Sequence, residues 1–232
     1  MLLTELKLFH LKFFGDGSDA AKELVDGIVV RNTDHFNWTF IFILAVVFYV
    51  YWSELHKKNY EAIFAGLALY GVHWLYEITN AIIGKISGYP LWAVGNDSST
   101  FILLEGVSWE LSMMFSLAGI ISYKMMPADR TKRYFTFKGK YKGIDCRLMV
   151  AIEMSLLFAL FESFLAGTDN GSFIWVYKWW GVIPVFITTY VPFFLASNYV
   201  NDFKPKTRKI FLISLWGLVA VLLAVLIPCG VI

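Results

Sequence analysis

Six mainly apolar stretches, each near the length that carries a helix across a bilayer, restrict this chain more than any other feature. They run from Trp38 to Trp52, Tyr60 to Ile83, Thr100 to Tyr123, Leu148 to Ala166, Trp180 to Val200 and Ile210 to Ile227. About 20 helical residues cross the ~30 Å hydrocarbon core, and backbone groups there find no water to bond, so the segments must be helices. The pattern predicts an all-α, polytopic membrane protein built as a six-helix transmembrane bundle. Only 16% of the 232 residues are charged and 58% are hydrophobic, against a soluble average of about 25% charged. An ordinary soluble domain and a disordered chain are both excluded.

Residues 37–232 read as a single six-span domain. Residues 1–36 read as an extracytoplasmic N-terminal segment, with a short amphipathic helix over Ala20 to Val30 that presents Leu24 and Ile28 to the membrane surface. Ser18 or Asp19 is its expected N-cap. Met1 to Phe14 lacks the apolar core and cleavage site of a signal peptide, so the first span is expected to act as its own insertion signal.

Charge sets the orientation. Lys57 and Lys58 follow the first span, Arg130, Lys132, Arg133, Lys138, Lys140 and Lys142 follow the third, and Lys204, Lys206, Arg208 and Lys209 follow the fifth. The loops after the second and fourth hold only Lys85 and Lys178. The positive-inside rule then places the basic loops in the cytoplasm and both termini outside, in a plasma (inner) membrane or an endomembrane. Trp92, Trp175, Tyr177, Trp179 and Trp180 fall in the outer loops and read as an interfacial aromatic belt. The net charge of +2 gives no reason to expect nucleic acid. Cys146 and Cys229 end different spans on opposite sides, which predicts neither a disulfide nor a thiolate metal site.

The second span carries the chemistry. Gly66, Tyr70, His73, Glu77, Asn80 and Gly84 recur at spacings of four and three, one continuous seam on a helix that is otherwise mostly apolar. Ionisable groups are costly in hydrocarbon and turn toward protein or water, so the seam marks a buried working face. At about 1.5 Å per residue, His73 and Glu77 lie roughly 20 and 25 Å from the inner end of their span, and Glu105 and Glu110 roughly 8 and 15 Å below the outer surface. Glu162 falls within about 8 Å of its outer end. These five groups share the outer half, whereas Glu153 lies toward the cytoplasm. The serines at 108, 112 and 116 form a small-residue stripe suited to close helix packing.

A carboxylic acid in a dry pocket can give a proton while a neighbouring carboxylate or imidazole takes one. His73, Glu77 and Glu110 are the expected catalytic groups, with Tyr70, Trp74, Asn80, Glu105, Trp109 and Glu162 around the substrate. The aromatic members can stabilise positive charge through their ring faces. The His-x-x-x-Glu pair on the second span, the second glutamate on the third and the aromatic residues near them resemble the emopamil-binding-protein family of sterol isomerases and, more faintly, small membrane meroterpenoid cyclases. The resemblance covers about residues 70 to 115 and implies proton transfer and carbocation stabilisation by His73, Glu77 and Glu110. This chain has six expected spans where those isomerases have five.

The leading expectation is an integral-membrane enzyme that isomerises or cyclises a lipophilic small molecule. A proton- or cation-coupled transporter is the second reading, and a non-catalytic subunit of a membrane complex, or a homo-oligomer, the third. No cofactor is expected. His and carboxylates suit iron or zinc, but the Glu-x-x-His pairs of di-iron bundles are missing.

Overall fold

The structure is a computed structural model that describes residues 11–34, 38–96, 101–136, 142–168 and 172–232. Thr100, Lys138, Lys140 and the first ten residues lie outside these. Helix α1 (Asp19–Asp26) starts where Ser18 accepts a hydrogen bond from the Ala21 amide at 3.2 Å, and it ends before the expected Val30. Its buried face, Ala21 and Val25, packs on Ala93, Ile174 and Val176. Leu24 and Ile28, expected at the membrane surface, pack against that same cluster.

Helix α2 (Thr39–His56) leads into α3 (Tyr60–Ser87), the longest helix among the described residues. Asn59 caps α3 at one end, and Gly88, with a φ of 90° that strains residues bearing a Cβ, closes the other. At about 42 Å, α3 exceeds the hydrocarbon core. It lies at the centre of the bundle, touching α2, α4, α7 and α8. Its buried positions include Gly66, His73, Glu77, Asn80 and Gly84, so the seam predicted from spacing is the inward face.

The third apolar stretch departs from expectation. Helix α4 spans Trp109–Met125, while β2 (Ile102–Leu104) and β3 (Val107–Ser108) form a hairpin ahead of it. Ile102, Leu104 and Val107 are buried, Gly106 turns the chain and Ser108 caps α4 by accepting from the Leu111 amide. A short apolar run flanked by turn and cap residues satisfies a buried strand as well as a helix, and tertiary packing chose the strand. The serine stripe on α4 does close-packing work: Tyr70 pairs with Ser112 at 2.7 Å, and Tyr51 donates to the Ser116 carbonyl at 2.8 Å.

Helix α5 (Cys146–Gly167) follows a small ladder of β4 (Arg133–Tyr134) and β5 (Ile144–Asp145). The fifth stretch is composite: α6 (Val182–Pro184), a π-helical turn over Val185–Tyr190, and α7 (Val191–Tyr199). Pro192 supplies no N–H, and its ring crowds the carbonyl of residue 188, the place where an α-helix would make its bond. The Val191 amide instead bonds Phe186, five residues back. Helix α8 (Pro205–Leu226) ends the bundle. By length and composition three helical segments among the described residues are apolar enough to cross a membrane, Cys146–Gly167, Val182–Asp202 and Pro205–Leu226, with Phe40–His56 a shorter apolar helix.

Two loops meet over the helices. Strand β1 (Trp92–Val94), after α3, pairs antiparallel with β6 (Phe173–Trp175), after α5, in a register that sets Trp92 opposite Trp175.

At the basic end Arg147 ties α5 to the end of α7: its guanidinium bonds Asp145 at 3.0 Å and Asp202 at 2.9 Å, and Asn198 donates to its carbonyl at 3.0 Å. Burial alone would raise the Asp145 carboxyl, but the amide and guanidinium of Arg147 outweigh it and hold the group below its ordinary value of 3.8. A lowered folded value stabilises fully above the unfolded one and fades as pH falls through the folded one. Asp145→Asn should therefore lower the thermal midpoint in detergent at pH 7, and its difference from wild type should shrink as pH drops below 3.8.

Candidate functional site

Beneath the β1–β6 pair lies a cavity of about 50 Å³. Water needs ~10–15 Å³ of such space, so the chamber holds a few waters or one small polar group. His73 and Glu77 reach it from α3, Glu162 from α5, and Thr189 and Tyr190 from the π-turn. Phe115, Phe158 and Phe193 line the sides, with Trp92, Gly106 and Phe173 over the top. Its mouth lies between α4 and α5, where Met114 and Phe161 are among the lining residues and both are about half exposed.

Each of the two glutamates that line the chamber takes a hydrogen bond from one tryptophan of the strand pair. Trp92 Nε1 donates to Glu77 at 3.2 Å, and Trp175 Nε1 donates to Glu162 at 2.6 Å. Directly opposed residues of an antiparallel pair project from the same face, so both indoles point down at the carboxylates. Tyr190 donates to the second Glu162 oxygen. The wide turn enforced near Pro192 is what carries Thr189 and Tyr190 to the chamber.

His73 stacks on Phe115, with ring centroids 4.1 Å apart, and its Nε2 lies 3.3 Å from Glu77 Oε1. That approach is off the line of a hydrogen bond, so both ring nitrogens lack one among the described residues, as does Thr189 Oγ1. Buried polar groups are normally paired, which makes His73 and Thr189 the places where a ligand's polar group would gain most.

Asn80 fixes the top. Its side chain accepts from the Leu91 amide at 2.7 Å and donates to the Trp92 carbonyl at 2.9 Å. Gly106 leaves room for that arrangement, since a Cβ there would come within 2.6 Å of Glu77 Oε2 and 2.5 Å of Asn80 Nδ2.

Of the residues singled out from sequence, the structure brings His73, Glu77 and Glu162 together. Glu110 sits in the first turn of α4, where an acid meets the positive helix end, and does not line the chamber. Glu105 is in the β2–β3 turn beside a different cleft. Trp109 lies near Phe40 and Phe101, and Glu153 is exposed. Tyr70 is one turn below His73, and Trp74 faces the cluster of Ile78, Leu104 and Val219. Trp92 and Trp175, expected in an interfacial belt, are buried donors; Trp180, stacked on Trp92, is buried too, and Trp179 is exposed. Thr189 and Tyr190 had no mark in the sequence beyond the nearby proline. Among the described residues no three His, Cys, Asp or Glu side chains converge as a metal site.

Comparison with known proteins adds a family. One described as an uncharacterized membrane protein family matches residues 19–228. An uncharacterized protein of Archaeoglobus fulgidus is 35% identical over 177 residues, covering 75% of this chain and 80% of the relative. No solved structure matches. These findings support a membrane protein family and give no support to the likeness to sterol isomerases.

The unequal pairing of the chamber is testable by stability. Trp175→Phe leaves a buried Glu162 oxygen without its donor and should cost about 1–3 kcal/mol. Thr189→Val removes a hydroxyl that has no hydrogen bond among the described residues and should be neutral or slightly stabilising. Denaturation in detergent checks both.

Proposed function

The chain belongs to the uncharacterized membrane protein family that matches residues 19–228, and from that premise we propose an integral-membrane enzyme that transfers protons on a lipophilic substrate. Glu77, Glu162 and His73 are the reacting groups. The carrying observation is the placement of two buried carboxylates and an unbonded imidazole in one chamber whose mouth is apolar. Ionisable side chains inside a membrane helix are expensive, and function is the usual reason they persist.

Roles follow from partners. Glu162, with one donor on each oxygen, is held as the proton acceptor, while Glu77, bonded among the described residues by Trp92 and beside His73, delivers the proton. Glu110 then has no part in the chemistry. The chamber accepts only the reacting group, so the remainder of the substrate lies in the mouth against Met114, Phe161 and Leu165. In this reading the six helical segments cross the bilayer, the basic loops face the cytoplasm, and the chamber opens in the outer half.

Transport is the second reading. It draws on the polar pairs below the chamber, Tyr70 with Ser112 and Ser122 with Asn198, which step toward the basic end.

Proton transfer to carbon leaves an isotopic trace even when the substrate is unknown. Purified protein in nanodiscs, incubated in heavy water with a total lipid extract of its source cells, should place deuterium in one lipid species by mass spectrometry. Glu77→Gln and Glu162→Gln should each slow that incorporation by about 10²-fold or more. Incorporation at the wild-type rate in either variant removes that residue from the chemistry. No incorporation by the wild type, with proton flux into protein-bearing vesicles, would favour transport.

A further inference from the structure

A second cleft, of about 340 Å³, lies where α3 and α8 end. Its size falls in the range of ligand sites, about 300–1,000 Å³. It is far more polar than the chamber, and opposite charges line it: Arg31 and Lys85 on one hand, Glu105 on the other. One Glu105 oxygen is buried with no hydrogen bond among the described residues. The carboxylate rests over Gly84, where a Cβ would approach Oε2 to 2.8 Å. Its backbone carbonyl accepts from Val94 at 2.8 Å, so the turn that presents it is fixed.

Arg31 is held with equal care. It has a left-handed φ of 57°, rare for a residue with a Cβ and kept only where the surroundings demand it. Its amide bonds the Ile102 carbonyl at 2.7 Å, and its guanidinium bonds the main-chain oxygens of Leu103 at 3.0 Å and Ile232 at 3.3 Å. The last turn of α3 adds the negative end of a helix dipole, which favours a cation. Leu218, Val221 and Val225 of α8, the helix whose end leads to the cleft, and Ile86 of α3, next to Lys85, are exposed and apolar.

A fixed anion with an unpaired oxygen, two cations lining the same cleft and a helix with an exposed apolar surface leading to it describe one kind of ligand. We infer that the cleft binds the headgroup of an aminophospholipid, its ammonium against Glu105, its phosphate against Lys85 and Arg31, and its chains along α8. The site is separate from the chamber and does not depend on the chemistry proposed there.

The test is native mass spectrometry of the full chain, released from micelles holding equimolar phosphatidylethanolamine and phosphatidylcholine with identical chains. The quaternary ammonium of the second has no N–H for Glu105. Retention of phosphatidylethanolamine should exceed that of phosphatidylcholine by roughly tenfold, the scale of one charge-assisted hydrogen bond. Glu105→Gln should erase the preference, and Lys85→Gln should weaken both lipids. Equal retention by the wild type, or a preference unchanged in Glu105→Gln, overturns the inference. Displacement of the lipid by soluble phosphoethanolamine at equal concentration would overturn the lipid as the source. Should Glu105→Gln fail to fold, Lys85→Gln at an exposed position decides alone: undiminished retention of both lipids rejects the site.

Discussion

Two carboxylates buried in an apolar bundle must find their hydrogen-bond donors inside the protein, and the upper part of this fold is arranged around that demand. Glu77 and Glu162 come from helices that both lead into the same mini-sheet, and each is met by an indole from the strand that follows its own helix. The antiparallel register places the two tryptophans opposite each other, so one short ladder serves both acids. Asn80 then anchors the ladder to α3 by bonding the backbone of Leu91 and Trp92. Remove the ladder, and the acids lose the donors that make their burial tolerable.

What was legible in the sequence followed from periodicity and composition. The helical character of most of the apolar stretches, the inward seam of α3 and the Ser18 cap are local signals that survive packing. The family result agrees at the level of a membrane protein. The hairpin at residues 102–108 was hidden because its apolar run fits a helix as well as a strand. That ambiguity also displaces Glu110: a helix starting at Thr100 would carry it well below the outer surface, whereas α4 starts at Trp109 and Glu110 falls in its first turn. Glu162 lies closer to His73 and Glu77 than its place near a loop implies, because proximity to a loop means exposure only if the loop is not folded back over it. Trp92 and Trp175 looked like interfacial residues for the same reason. Loop composition carries no record of strand pairing.

The two clefts differ in a way that fits the two roles proposed for them. The inner chamber is small, aromatic and short of partners for His73 and Thr189, so what enters it is handled by a few atoms. The outer cleft is larger and bears both signs of charge, suited to holding a headgroup without transforming it. Gly84 and Glu77, seven residues apart on the same side of α3, serve one each. A single rigid helix therefore sets the distance between them, and a shift of α3 along its axis would be felt by both.

The π-turn before α7 fixes which side chains see the chamber by the number of residues it contains. An α-helix advances about 100° per residue, and a π-turn fits one more residue into nearly the same rise. Were a single residue between Val185 and Thr188 lost and the turn to relax to α-helix, the two changes would cancel, so α6 and α7 would keep their relative orientation while the residues of the turn itself would face new directions. Chain length in this segment is thus a selectable quantity in its own right, independent of which side chains it carries. Relatives that differ there by one residue would present differently lined chambers built from the same amino acids.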